Sequence, residues 1–210
     1  DDEDDEDEDA AREAWFRREV TETFLRCIKN GYEESNIVVE LQGLKLAENR
    51  TFADLARYVL TALLGLSLPA PPETAKEYRA LYPAEAPEGS GKLLGSAKPR
   101  LAKWAPMLRR FLKNDDDQVE VLLTLEDFCA EEDVFAASGG GRYTPIFAQV
   151  LHALYDNDVL SEDAVLAWAE EKGGAEEGDK KFLNLAKPFI TWLQEADEDD
   201  SEEESDEDEE

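Results

Sequence analysis

The chain has 210 residues, enough for one domain or two small ones around a substantial core, and its formal net charge is −30. No apolar run is long enough for a membrane-spanning helix. The negative charge disfavours direct nucleic-acid binding, because phosphate groups are bound by basic side chains. The two cysteines are far apart in apolar helical patterns, so we expect buried thiols in a reducing compartment, without a disulfide.

Acidic residues are concentrated at the two ends of the chain. Residues 1–9 are all acidic and residues 195–210 hold 13 acids in 16 positions, which leaves about −8 on the part between them. We predict a disordered acidic arm at 1–9, a folded domain at 10–196 and a disordered acidic tail at 197–210, because like charges repel. This charge favours a lysine-rich protein partner. Since the first residue is an aspartate and not a methionine, we expect a piece of a longer protein.

Helical spacing of apolar residues begins just after the acidic arm. A first helix is predicted to end at Gly31, from the stripe Phe16, Val20, Phe24 and Ile28. A second is predicted from Ile37, Leu41 and Leu44. A third begins at Thr51, where Asp54 follows at the spacing of a capping box.

A connection rich in proline and glycine is predicted over residues 67–98, with a short helix at 73–81 inside it. We expect the helical pattern to resume near Pro99, since proline is favourable in a first turn. Pro106 is expected to kink or restart that helix.

Four more helices are predicted in the second half of the chain. One includes Val119 to Phe128 and is followed by a glycine-rich loop at 138–141; the others cover about 144–156, 161–171 and 179–196. The fold class is therefore all-α, with about eight helices in stacked antiparallel pairs. Periodicity does not choose between a bundle and a helical-repeat solenoid.

Bond-breaking chemistry is not indicated by the sequence. His152 is the only histidine, and we interpret it as a core or boundary residue. One histidine and two distant cysteines are too few for a zinc site, and residues 89–92 lack the spacing of a phosphate loop. We expect no metal and no cofactor. Any catalysis would then shift the states of a bound partner.

Three stretches together resemble one family. They are residues 36–45 (NIVVELQGLK), residues 154–168 (LYDNDVL through AVLAW) and residues 189–196 (FITWLQEA) with the acidic tail. In this order they resemble the carboxy-terminal catalytic domain of the epsilon subunit of translation initiation factor 2B. The last two stretches resemble aromatic/acidic boxes, which initiation factor 5 and the four-G scaffold family share. The first stretch narrows the resemblance to the exchange factor.

The resemblance implies an atypical HEAT-repeat domain of paired helices that acts in the cytoplasm, bound to no membrane. It implies guanine-nucleotide exchange: release of GDP from the gamma-subunit GTPase of translation initiation factor 2, and binding of the lysine blocks of its beta subunit. Other subunits of the exchange-factor complex are further implied partners. The insertion at 67–98 and the loop at 138–141 depart from the family pattern and are expected to be surface loops.

Site residues follow from the same resemblance. The family's critical glutamate corresponds to Glu40 and its critical box tryptophan to Trp192, which we take as the catalytic candidates. The implied partner-binding residues are Asn36, Val39, Tyr155, Asp156, Asp158, Trp168, Glu195, Asp197, Glu198, Asp199 and Asp200. Independently of the family, Ser201 and Ser205 each have an acid three residues downstream, which predicts phosphorylation by an acidophilic kinase.

Simpler interpretations stand beside these. A helical wheel places Glu40 at the rim of an apolar stripe, where a structural ion pair with Lys45 or Arg57 is the alternative. Trp168 and Trp192 could each be core aromatics. At the level of function, the alternatives are an adaptor like the carboxy-terminal domain of initiation factor 5, and an acidic chaperone for basic proteins.

Overall fold

The computed structural model describes the backbone of residues 2–207 and the side chains of residues 5–196. All regular structure in that part of the chain is helical, so the all-α prediction is confirmed. The α-helices are α1 (Asp2–Lys29), α2 (Glu34–Ala47), α3 (Phe52–Gly65), α4 (Ser90–Phe111), α5 (Asp115–Ala130), α6 (Phe147–Asp156), α7 (Glu162–Gly173) and α8 (Lys181–Glu207). Short 3₁₀ helices lie in the connections at Lys76–Leu81, Asp133–Phe135, Gly140–Ile146 and Glu177–Lys180.

The helices stack in two layers. In one layer α1 packs on α3, α3 on α5 and α5 on α7; in the other, α4 packs on α6 and α6 on α8. Between the layers α1 pairs with α2, α3 with α4 and α7 with α8. This is the stacking of helix pairs expected of a HEAT-type domain. It places α2 in the first pair and α8 in the last.

One apolar core runs through the stack. The two cysteine thiols, Cys27 and Cys129, are buried in it and unpaired, as predicted. Burial raises the pKa of Cys129 to about 12, so this thiol stays protonated and unreactive. Among the described helices, none has the length and apolar character needed to cross a bilayer.

The predicted capping box at the start of α3 is confirmed. The backbone N–H of Asp54 donates to Thr51 Oγ1 at 3.1 Å, and the backbone N–H of Thr51 donates to Asp54 Oδ2 at 3.0 Å. Two donors at the open end of the helix are thereby satisfied. The cap fixes where α3 begins after α2.

The prediction for α4 was wrong at its start. The helix begins at Ser90, so the proline- and glycine-rich connection ends nine residues earlier than expected, and Pro99 and Pro106 both lie inside an unbroken helix. An interior proline costs about 3 kcal/mol. The buried stripe of α4 offsets this cost against α3 and α6, through Leu93, Ala97, Leu101, Trp104, Ala105, Leu108 and Phe111. The short helix predicted at 73–81 is a 3₁₀ helix at Lys76–Leu81.

At the acidic ends the backbone is helical from Asp2 and as far as Glu207. Extending a packed helix by one residue is far cheaper than starting one. In α1 the acids also sit at the positive end of the helix dipole, and Arg12 lies 3.8 Å from both Glu8 and Asp9. Asp1 and residues 208–210 lie outside the part that the structure describes.

Candidate functional site

Two surfaces hold most of the residues singled out in the sequence, and they lie at opposite ends of the stack. The first, here called the aromatic surface, is formed by His152 and Tyr155 of α6 with Phe189 and Trp192 of α8. These helices pack directly on each other. The second, here called the Glu40 surface, is the outward side of α2.

The aromatic surface is built from rings three residues apart on each helix. Trp192 stacks on Phe189, with ring centroids 5.9 Å apart and planes at 18°. His152 lies 4.9 Å and Tyr155 5.9 Å from Trp192, measured between ring centroids. Trp192 nevertheless keeps 45% of its surface exposed. The rings therefore hold the indole in place without covering it.

A shallow groove of about 270 Å³ runs beside this indole. Its lining is mostly apolar: Ala148, Gln149, His152, Pro188, Phe189 and Trp192. At its edge His152 Nε2 lies 3.3 Å from Asp156 Oδ1. An aromatic face beside a carboxylate suits the methylene stem and ammonium head of a lysine.

Further acids surround the aromatic surface. Asp158, in the turn after α6, and Glu195, on α8, are both exposed. Asp158 has a φ of 57°, and its backbone N–H donates to Tyr155 O at 2.9 Å, which closes this turn. The side chains of the other predicted tail residues lie outside the described side chains: Asp197, Glu198, Asp199, Asp200, Ser201 and Ser205.

Among the predicted partner-binding residues whose side chains the structure describes, only Trp168 is inaccessible to a partner. Its side chain is fully buried, and its indole N–H donates to Glu126 Oε2 at 3.1 Å. Lys172 Nζ lies 3.2 Å from the same oxygen. Burial raises the pKa of Glu126, against the opposing effects of Trp168 and Lys172. Trp168 thus joins α5 to α7, and the alternative of a core aromatic is correct for it.

The Glu40 surface presents Asn36, Val39 and Glu40 to solvent; Val39 is 65% exposed. Glu40 Oε2 lies 3.1 Å from Arg26 Nη2 of α1, and both side chains are about half exposed. The alternative interpretation named Lys45 or Arg57 as the partner of Glu40, and neither of them is. Lys45 lies over the ring of Phe52 instead, and Arg57 pairs with Asp54 and contacts Thr124.

Sequence reasoning missed three contributors. His152 and Phe189 complete the aromatic surface, and their spacing of three residues before Tyr155 and Trp192 was a usable signal. Glu126 offered no such signal, because its partners lie 42 and 46 residues further along the chain. Within residues 5–196, no group of histidine, cysteine and acidic side chains is arranged to hold a metal ion.

Residues 117–203 match the W2 family, described as eIF4-gamma/eIF5/eIF2-epsilon. Translation initiation factor eIF2B subunit epsilon of Dictyostelium discoideum is 32% identical over 183 residues, 87% of this chain and 23% of that protein. The eIF5-mimic protein 1 of Danio rerio is 31% identical over 112 residues, 53% of this chain and 24% of that protein. The chain thus spans about a quarter of the length of these curated relatives.

A solved structure titled the C-terminal domain of translation initiation factor 5 at low pH is also similar. It superposes with a TM-score of 0.53 and 21% identity, and covers 90% of this chain and 96% of its own. At that identity the likeness is one of fold.

Proposed function

We propose that the chain is a W2 domain of a translation initiation factor, and that it promotes guanine-nucleotide exchange by releasing GDP from translation initiation factor 2. This proposal rests on how much of the chain is similar to eIF2B subunit epsilon. The similarity to eIF2B subunit epsilon covers 87% of the chain, whereas that to eIF5-mimic protein 1 covers 53%. The additional similarity includes residues before the W2 match at 117–203. The proposed site of action is cytoplasmic, as part of a larger exchange-factor complex.

The aromatic surface is the proposed binding site for the lysine blocks of the beta subunit. Lysine stems would lie on Trp192 in the shallow groove, and the ammonium groups would meet the carboxylates of Asp156, Asp158 and Glu195. A cation above an exposed indole contributes about 0.5–1 kcal/mol, so several lysines are needed for useful affinity. The binding should weaken with salt, because exposed charges are screened beyond about 8 Å at physiological ionic strength.

The acidic tail adds to this attraction in the proposal. Asp197, Glu198, Asp199 and Asp200 follow directly on α8 after Trp192, so their charges lie next to the aromatic surface in sequence. Phosphate on Ser201 and Ser205 would add about −1.5 to −2 each and strengthen binding to lysine blocks. We expect the Ser201→Glu, Ser205→Glu variant to bind the lysine blocks more tightly at low salt. An unchanged Kd for the lysine blocks would contradict this expectation.

Glu40 is the proposed exchange residue, acting on the gamma subunit with Asn36 and Val39 as its neighbours in the contact. Its carboxylate would compete for a lysine or the magnesium site in the phosphate pocket of the GTPase. One competing charge in such a pocket weakens GDP binding by a few kcal/mol, or roughly 10²–10³-fold. Reaching that pocket requires separation from Arg26, which costs little because exposed pairs contribute about 1 kcal/mol or less.

Labelled-GDP release from purified translation initiation factor 2 tests the proposal. The chain should accelerate release at low ionic strength, and Glu40→Lys should remove most of the acceleration. Glu85→Lys makes the same charge change on an exposed residue outside both surfaces and serves as the matched control. Failure of the unmodified chain to accelerate release would contradict the function, and equal activity of Glu40→Lys and Glu85→Lys would contradict the role of Glu40.

A second candidate is an adaptor, which the fold shared with the initiation factor 5 domain favours. An adaptor would bind translation initiation factor 2 with similar affinity and leave GDP release unchanged. The same assay, combined with a binding measurement, separates the two functions. Competition by histones at comparable affinity would instead favour an acidic chaperone.

A further inference from the structure

Trp15 is the second exposed tryptophan in the described part of the chain. It lies on α1, in the first helix pair, and 38% of its surface is exposed. The chain has four tryptophans, of which Trp104 and Trp168 are buried. Among the described side chains, no hydrogen bond or ring contact involves Trp15. Only Trp15 and Trp192 thus offer an indole face to a partner, from opposite ends of the stack.

An open groove of about 580 Å³ lies beside Trp15, between the start of α1 and the connection from α2 to α3. Besides Trp15 it is lined by Asp9, Ala11, Arg12, Glu13, Glu48 and Arg50. A groove of this size can accept an extended peptide side chain with part of its backbone.

The charge left over in this groove is negative. Arg50 is hydrogen-bonded to Glu13 and lies over the ring of Phe16, so its positive charge is already paired within the domain. Arg12 lies 3.8 Å from both Glu8 and Asp9. No partner in the described part of the chain neutralises Glu48, and the other acids of residues 5–9 are exposed.

We propose that Trp15, Glu48 and the acidic residues 5–9 of α1 form a second docking surface for a lysine-rich protein segment. A lysine stem can lie on the indole while its ammonium group meets the carboxylates. The sign of the charge argues against nucleic acid, and a net charge of −30 opposes a second copy of this chain as the occupant. The proposal goes beyond nucleotide exchange and does not depend on it.

Two such surfaces on one rigid stack would bind a protein with two lysine blocks more tightly than either surface alone. The second block would be held at a high local concentration once the first is bound, provided the linker between the blocks spans the stack. Trp15 would therefore select partners that carry more than one lysine block.

Site-specific fluorescence tests the proposal with decalysine as the probe. In the Trp192→Phe variant Trp15 is the only exposed tryptophan, and in the Trp15→Phe variant Trp192 is. Acrylamide quenching of each variant, with and without decalysine, therefore reports on one surface at a time. We expect decalysine to protect both tryptophans at low salt, and decaglutamine to protect neither.

Charge variants on the Trp192→Phe background supply the control. Glu8→Lys with Asp9→Lys should raise the decalysine concentration that half-protects Trp15 by about tenfold or more, whereas Glu85→Lys with Glu88→Lys changes the net charge equally and should have little effect. All four positions are exposed, so the fold should be kept, and circular dichroism checks this. Quenching of Trp15 that does not respond to decalysine, or an equal shift in both charge variants, would overturn the proposal.

Discussion

The guanidinium of Arg26 lies 3.1 Å from the carboxylate of Glu40 and links α1 to α2 in the first helix pair. The residue proposed to disturb a bound nucleotide is therefore already engaged with a cation of its own domain. This pair orients Glu40 in the free chain and would compete with any cation of the proposed GTPase partner.

Removing the positive charge of Arg26, which competes for Glu40, should increase the proposed exchange activity. Arg26→Gln leaves Glu40 without its ion pair, so we expect GDP release to accelerate by up to about fivefold, since an exposed pair contributes about 1 kcal/mol at most. Labelled-GDP release at low ionic strength measures the effect. Arg110→Gln, a change at an exposed arginine of α4, is the control and should leave the rate unchanged. A slower rate for Arg26→Gln would show that the pair is needed to position Glu40.

Replacing Trp168 and replacing Trp192 should have different effects on the stability of the domain. Trp168→Ala removes a buried ring and one of the two donors to the carboxylate of Glu126, so a loss of about 3–5 kcal/mol in the free energy of unfolding is expected. Trp192→Ala should cost about 1 kcal/mol, the contribution of its ring contacts, and weaken binding of a lysine-rich peptide. Urea unfolding and peptide titration measure the two quantities. Comparable losses of stability would place Trp192 in the core.

Glu126 should make stability depend on pH. Because burial raises its pKa in the folded state, its contribution to stability is present below the unfolded pKa and is lost as pH rises through the folded pKa. Glu126→Gln does not titrate and can still accept from Trp168. The free energy of unfolding of Glu126→Gln, minus that of the unmodified chain, should therefore increase between about pH 4 and pH 7. Urea unfolding across this range checks the slope. A decrease of this difference with pH for Glu126→Gln would contradict the prediction.

Two glycine-to-alanine changes should have opposite effects. A Cβ at Gly140 would lie 2.0 Å from the backbone oxygen of Phe128, so Gly140→Ala should destabilise the fold by about 3 kcal/mol or more. A Cβ at Gly43 meets nothing within 4 Å in the middle of α2, so Gly43→Ala should stabilise by about 0.5–1 kcal/mol. Thermal unfolding of both variants tests the pair. A tolerated Gly140→Ala would mean that the chain around Phe128 can move apart.

The sequence predicted those features that depend on residues near each other in the chain. The capping box of Thr51 and Asp54 fixed the start of α3, and helical spacing identified Phe16, Val20 and Phe24 as core residues of α1. Contacts across the stack could not be predicted in this way. The partner of Glu40 lies on another helix, and neither Lys45 nor Arg57 proved to be it. The start of α4 was misplaced because proline and glycine were taken as local breakers, whereas burial against two neighbouring helices determines that segment.

The helical backbone of α8 beyond Ala196 affects how far the acidic tail can reach. Residues 197–207 rise only about 1.5 Å each as a helix, against about 3.3 Å each when extended, so the same acids occupy less than half the length. The acidic positions are therefore more closely spaced along the helix axis. A basic partner must then come close to the body of the domain to meet them, which brings it within range of the neighbouring indole.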